Sequence, residues 1–226
     1  MSFAPHSDPS RGSERPLPAS AAARATRERI LDVAEALFAE RGFAGASMRE
    51  IAARAGLTAA SLYNHFSGKD ALYAAVLERG IRPLIDLMEG MSQKGHSPEA
   101  VDALICAVMH HLGRRPHLPR LVYHEAVAGG AHLARLAGQW VRPLVERGLD
   151  AMEHAPGSYW DEELRPLVIS AWIHLVVGHF AMAPLLREVL GRDPFDPDML
   201  ELQTRFLRRL ATLQQAGTDP SHLTDD

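Results

Sequence analysis

Apolar residues recur along the chain at spacings of three and four positions, which is the period of one face of an α-helix. Strand-like alternation does not interrupt this pattern, and clusters of Gly, Pro and polar residues separate its stretches. The pattern therefore predicts an all-α fold. Two short helices are expected between residues 47 and 69, and longer helices at 22–41, 68–91, 98–115, 118–128, 132–153, 161–190 and 197–215.

The two short helices have the signals of a helix-turn-helix. Ser47, with Glu50 three residues later, forms the pattern of a capping box, and Gly56 is suited to the left-handed end of the first helix. Thr58 is an N-cap candidate for the second helix, whose outward face would be polar and aromatic. Such a pair enters DNA grooves in many proteins. A purely structural helix pair is the alternative.

Residues from 24 to about 80 resemble the DNA-binding domain of the TetR family of transcriptional regulators. The resemblance rests on a first helix RERILDVAEALFAERGF, on the step AGAS into MREIAARAGLT, and on the segment SLYNHFSGKDALYAAVL. It implies double-stranded DNA as a partner, with the second short helix as the recognition helix. By this resemblance the DNA contacts fall on Ser47, Arg49, Thr58, Ala59, Ala60, Ser61, Tyr63, Asn64, His65 and Lys69.

These side chains suit different parts of the DNA. Ala59 and Ala60 carry only methyl groups, which can contact thymine methyls or allow a close backbone approach. Base reading is therefore expected from Ser61 and Asn64, with Arg49 as a further candidate. Phenol, imidazole and ammonium groups are better suited to phosphates, and here they belong to Tyr63, His65 and Lys69.

The segment 161–190 is apolar nearly all round, so a single protomer would cover it poorly. The last helix, 197–215, adds apolar residues at spacings of three and four. Two such helices packed against their copies would form a four-helix bundle with twofold symmetry. The TetR resemblance implies the same homodimer, whose symmetry would match a palindromic operator. A purely intramolecular core is the alternative.

An effector pocket is expected among the helices from residue 98 to residue 179, because the resemblance implies one there and pockets between bundled helices are common. The effector would be apolar or amphipathic, with His124, Glu125, His174 or His179 as polar contacts. Ordinary core packing is the competing interpretation. The candidate ligand-binding residues are Met109, Leu121, Tyr123, His124, Leu136, Trp140, Leu144, Trp172, Val176, His179 and Phe180.

Composition narrows the class of protein. The chain has 226 residues, of which 46% are hydrophobic and 23% charged, enough for a substantial core. The net charge is −4, and acids nearly cancel bases between residues 24 and 73, so phosphates alone should give only modest affinity. The single cysteine, Cys106, lies in an apolar helical run and is expected to be a buried hydrophobe. Histidine spacing does not suggest a metal site, and no cofactor is expected.

The remaining signals concern domains and location. Residues 1–20, rich in Pro and Ser, and residues 217–226 are predicted to be a disordered arm and tail. Residues 21–80 would be the three-helix DNA-binding domain, and residues 81–216 a larger helical bundle for ligand binding and dimerisation. Neither a membrane-length apolar run nor a signal-peptide core is present, which predicts a cytoplasmic protein without membrane contact.

Motifs of catalysis are missing from the sequence, including phosphate-binding glycine loops and nucleophile elbows, so we expect no enzymatic activity. The combined prediction is a ligand-responsive transcriptional repressor that binds a palindromic operator as a homodimer and is released by a small effector. An activator or a ligand-independent DNA binder is the main alternative. A helical small-molecule-binding protein or enzyme with a vestigial DNA module is a more distant one.

Overall fold

The computed structural model describes residues 19–94, 97–129, 132–154 and 160–215, and within these ranges the chain contains helices and turns but no strand. The predicted tail lies outside the described residues, as does the predicted arm apart from residues 19 and 20. The helices are α1 (Ala19–Gly45), α2 (Met48–Arg54), α3 (Ala59–Tyr63), α4 (Lys69–Lys94), α5 (Pro98–Gly113), α6 (Leu118–Ala128), α7 (Leu133–Arg135), α8 (Arg142–Glu153), α9 (Arg165–Ile173), α10 (His179–Ala181), α11 (Ala183–Leu190) and α12 (Pro197–Gln215).

The first three helices and the beginning of α4 share one apolar core. Phe38 of α1, Ile51 of α2 and Leu62 of α3 are fully buried, and the Phe38 ring meets the edge of the Tyr73 ring with centroids 5.0 Å apart. This is the compact core predicted from the three- and four-residue spacing. It continues without a break into the core of the C-terminal helices.

Gly42 interrupts α1 near its end, as the sequence predicts, because its φ of 69° and ψ of 174° are outside the helical region. The absence of a side chain at Gly42 also leaves room for a neighbouring helix. A β-carbon built on Gly42 would lie 2.5 Å from Cε1 of His124 on α6, which is far inside van der Waals contact. The turn after α1 is therefore shaped both by backbone conformation and by the helix packed over it.

Replacing Gly42 with alanine should lower the free energy of unfolding by about 1–3 kcal/mol, mainly because alanine is strained at this φ and ψ, while the exposed His124 ring can turn aside. Chemical denaturation of the purified protein would measure the change. Gly90→Ala is the matched control. Gly90 lies in α4, and a β-carbon built on it meets nothing within 4 Å. It should leave stability unchanged or raise it by up to about 1 kcal/mol. Equal effects of the two changes would contradict this interpretation.

The segment predicted as one helix from 161 to 190 is broken, so that prediction is wrong. It contains α9, a π-helical segment His174–Gly178, α10 and α11, and the part Arg165–Ala181 is bent by 73° from Ala183–Leu190. Pro184 explains the bend, because it has no N–H to donate and its ring excludes a straight helix before it. Among the described residues no single helix is long and apolar enough to cross a membrane, although this bent pair meets the length and composition criteria when its parts are taken together.

The other long C-terminal helices are close to prediction. The boundaries of α6 and α12 match the predicted 118–128 and 197–215, and α5 ends two residues early, at Gly113. The predicted helix 132–153 contains an unexpected π-helical segment, Leu136–Val141, between α7 and α8. Within this region α12 packs on α5, and α4 lies against α5 and α8. The helix α4 therefore packs against the DNA-binding helices at its beginning and against the C-terminal helices further along.

Candidate DNA-binding surface

Side-chain caps fix the two short helices. The Ser47 hydroxyl accepts a hydrogen bond from the Glu50 amide at 3.2 Å, and the Thr58 hydroxyl accepts one from the Ser61 amide at 3.1 Å. Gly56 has a φ of 69° and makes the turn between them. Both predicted N-caps and the predicted glycine turn are therefore confirmed.

The predicted capping box is only half correct. The Glu50 carboxylate does not return to the Ser47 amide but binds Arg41 at 2.9 Å and Arg54 at 3.1 Å. Arg54 also reaches Glu40 at 3.2 Å, so the end of α1 is fastened to α2 by ion pairs. Arg41 and Arg54 are consequently already paired with carboxylates and are poorer candidates for phosphate binding.

The outer face of α3 is exposed while its inner face is buried. Leu62 is fully buried, and Phe66, just after the helix, is nearly so. The sequence-predicted DNA contacts lie on the opposite side or beside it. Of these, Ser61, His65 and Lys69 are half-buried, and the exposed ones are Ser47, Arg49, Thr58, Ala59, Ala60, Tyr63 and Asn64.

Lys69 has a structural role that the sequence did not indicate. Its ammonium donates a hydrogen bond to the Ala44 carbonyl at 3.3 Å and lies 4.4 Å from the centroid of the Phe43 ring. The side chain is thereby held beside the turn that follows α1. An ammonium group has three N–H bonds, so this position leaves donors for a phosphate.

The charge of this surface is modest. Arg49 is exposed on α2, and among the described residues no carboxylate forms an ion pair with it. Arg49 and Lys69 are therefore the cations best placed to meet DNA phosphates. Two such cations would give only weak sequence-independent attraction to phosphates, so tight binding would need further contacts.

Comparison with known proteins agrees with this geometry. The family model for bacterial regulatory proteins of the tetR family matches residues 30–76. The HTH-type transcriptional repressor Rv3405c of Mycobacterium tuberculosis is 32% identical over 174 residues, which is 76% of this chain and 81% of that protein. The chain belongs to the TetR family. It is a DNA-binding transcriptional regulator, as the resemblance in the sequence implied.

Solved structures of TetR-like proteins share the fold. A TetR-like transcriptional regulator from Rhodococcus sp. RHA1 superposes with a TM-score of 0.64 at 20% identity, covering 90% of this chain and all (100%) of that one. HlyIIR, a hemolysin II transcriptional regulator, gives a TM-score of 0.59 at 21% identity, covering 81% and 97%. The all-α prediction is therefore confirmed for this TetR-family chain well beyond its helix-turn-helix.

In this TetR-family regulator, α6 packs against the back of the DNA-binding helices. The Tyr73 hydroxyl of α4 donates to the buried Glu125 carboxylate at 3.2 Å. Burial, together with this carboxylate, raises the pKa of the Tyr73 phenol. At the beginning of α6, Leu118 lies so close to Gly80 that a β-carbon on Gly80 would be 2.5 Å from Cδ1 of Leu118. The sequence did not indicate α6 as this contact.

A buried ion cluster joins α1, α4 and the end of α5. Glu35, 4% exposed, accepts hydrogen bonds from Arg79 at 2.8 Å and from Arg115 at 3.2 Å. Arg79 also binds Asp32 at 2.7 Å and Glu28 at 3.2 Å. Although burial lowers it, the hydrogen bonds to these carboxylates raise the pKa of Arg79 above its ordinary value. The cluster connects the TetR DNA-binding helices to the C-terminal bundle.

The predicted effector contacts lie mostly in the core of the C-terminal helices. His124 and His174 are exposed, and His124 packs on Gly42, whereas the others are buried or half-buried. Trp140 Nε1 and His179 Nε2 are buried side-chain atoms without a hydrogen-bond partner among the described residues. Burial lowers the pKa of His179. The fully or almost fully buried ones are Met109, Leu121, Leu136, Trp140 and Phe180, and the half-buried ones are Tyr123, Leu144, Trp172, Val176 and His179.

Proposed function

We propose that this TetR-family protein is a ligand-responsive repressor that binds a palindromic operator as a homodimer and is released by a small apolar or amphipathic effector. The observation that carries the proposal is the exposed polar face of α3 at residues 58–64, fixed by the caps at Ser47 and Thr58. A preset recognition helix loses little entropy on entering the major groove. The relative from M. tuberculosis is named a repressor, which supports repression over activation. The protein would act in the cytoplasm, where its DNA lies.

Dimerisation through residues 161–190 and 197–215 is supported by exposed apolar side chains. A monomer surface rarely carries many large apolar groups close together. Here they occur on α9, on α11 and on one side of α12, and several are more than half exposed: Leu167, Leu185, Val189, Leu190, Phe206 and Leu213. A second copy of the chain would cover them, and the resulting twofold axis would present two α3 helices to a palindrome.

An effector site among α6 and α8 to α10 is supported by local irregularity. Trp140 lies on one π-helical segment, and His179 follows the other directly. Such segments are frequent at functional sites, and the two buried ring nitrogens of these residues would each gain a partner from a polar group on a ligand. Since Tyr123 of α6 packs on Gly178, a ligand there would bear on α6. It would release DNA only if it binds the two conformations with different affinity.

Selection of genomic or random DNA fragments by the purified full-length protein at near-physiological salt tests this function. Retained fragments should share a palindrome with half-sites about one helical turn apart. If folded, dimeric protein enriches no sequence, the repressor proposal fails. An operator found in this way then permits a screen for compounds that lower its affinity.

Replacing Asn64 with alanine should change which bases are preferred, because an amide can read a base edge with paired hydrogen bonds. The discrimination lost at one operator position should be about 1–3 kcal/mol. Tyr63→Phe is the matched control on the same helix, since losing a phosphate contact should weaken all sequences alike. Competition binding on a panel of single-base operator variants measures both. Uniform weakening by Asn64→Ala would remove its role as a base reader.

A further inference from the structure

An open cleft of about 920 Å³ lies between α1, α4, α5 and the turn that leads to α6. None of the sequence-predicted effector contacts lines it. Its walls are formed by residues at helical spacing on three helices, so it is a groove between packed helices rather than a surface dimple. The residues that line the cleft include Glu35, Arg79, Pro83, Ala107, His111 and Arg114.

The carboxylates of the cleft already have arginine partners. Glu35 and Asp32 are bound by Arg79, and Asp86 is bound by Arg82 at 2.9 Å. Arg114, on the wall formed by α5, forms no ion pair with a carboxylate of the described residues. Arg114 is therefore the arginine of this lining without a carboxylate partner among the described residues, whereas Arg79 and Arg115 share three carboxylates.

Two histidines on the same wall are held in fixed orientations. The His111 ring donates to the Gly80 carbonyl at 2.7 Å, and the His110 ring donates to the Cys106 carbonyl at 3.1 Å. Burial lowers the pKa of His111, so at neutral pH its ring is uncharged and its second nitrogen is an acceptor. The free nitrogen of His111 accepts hydrogen bonds and cannot donate one to a carboxylate, so a carboxylate in the cleft would depend on Arg114.

The remaining lining includes apolar groups from two helices and a turn. Pro83 and Leu87 lie on α4, and Ala107 lies on α5 about two turns before Arg114, which caps the end of that helix. Pro116 is in the turn that follows. The cleft therefore combines an unpaired guanidinium with hydrocarbon surface. A guanidinium binds a carboxylate through two parallel hydrogen bonds, and hydrocarbon gains free energy by leaving water.

We propose that this cleft is a second effector site, separate from the one among α6 and α8 to α10, and that it binds small amphipathic organic carboxylates. The carboxylate would pair with Arg114, and the hydrocarbon would lie against Pro83, Leu87 and Ala107. Because α1 belongs to the DNA-binding half and α5 to the bundle, and α4 runs through both, an occupant touches both parts. It would stabilise the packing of α1 against the α5 end that the ion cluster at Glu35 already holds.

Isothermal titration of the full-length protein with hexanoate, 1-hexanol and hexylamine up to about 10 mM tests this, since the three share a chain and differ in head group. Hexanoate should saturate one site per chain and bind at least about tenfold tighter than the alcohol or the amine. Arg114→Gln and the cleft-filling Ala107→Phe should each weaken hexanoate by about tenfold or more. Arg120→Gln, an exposed arginine of α6 outside the cleft, is the control and should change nothing.

No hexanoate binding, equal binding of the alcohol, or unchanged affinity in both cleft variants would each overturn the proposal. Leu87→Trp fills the same cleft from α4 and replaces Ala107→Phe if that variant does not fold. DNA selection is done without hexanoate, so the repressor function and this site can fail independently of each other.

Discussion

Replacing Glu35 with alanine is expected to lower the free energy of unfolding by about 3 kcal/mol, at the low end of what removing one member of a buried ion pair costs. Glu35 is 4% exposed and receives both Arg79 and Arg115. Without it, Arg115 loses its carboxylate in the cluster and Arg79 keeps only Asp32 and Glu28, which are more exposed. Urea denaturation of the purified variant measures the loss.

Asp86→Ala is the matched control for Glu35. It also removes a carboxylate from an arginine, but Asp86 and Arg82 are both more than half exposed, and such surface pairs contribute less than about 1 kcal/mol. If the two variants lose the same stability, burial of the Glu35 cluster is not what makes it important.

Val189→Glu is expected to separate the proposed dimer and to reduce operator affinity by about 100-fold or more, because the linked second half-site would be lost. Val189 is 69% exposed on α11, so a charge there should not disturb the fold of one protomer. Buried against a second copy, the same carboxylate would lack a counter-charge. Analytical ultracentrifugation and operator titration at fixed salt give the two readouts.

Val127→Glu provides the control for this change. Val127 is 81% exposed, but it lies on α6 rather than on α11 or α12. That variant should stay dimeric and keep its operator affinity. A dimeric Val189→Glu protein with unchanged operator affinity would exclude α11 from the interface.

The helix-turn-helix could be predicted in detail because its determinants are local. The caps at Ser47 and Thr58, the turn at Gly56 and the inward Leu62 each depend on residues a few positions apart. The same holds for the boundaries of α6 and α12, which Pro and Gly residues mark. Periodicity and turn chemistry therefore sufficed for the part of the chain that meets DNA.

Features that depend on distant contacts could not be predicted in the same way. The sequence suggests Glu125 as a polar contact of the effector, yet its carboxylate accepts a hydrogen bond from Tyr73, fifty-two positions earlier in the chain. The π-helical segments shift the register of a helix without an evident residue signal. The break before α11 did have one, since Pro184 lies inside an apolar run whose length favoured a single helix. The cleft at Arg114 arises only when α1, α4 and α5 come together.

Two glycines under α6 make room for side chains of that helix and so influence where it can lie. Gly42 receives His124 and Gly80 receives Leu118, six residues apart on the same helix and thus about 9 Å apart along its axis. A shift of α6 along α4 must lift the buried Leu118 side chain away from Gly80, whereas the exposed His124 ring can turn away from Gly42. Intermediate positions would be sterically costly, so α6 should occupy discrete registers.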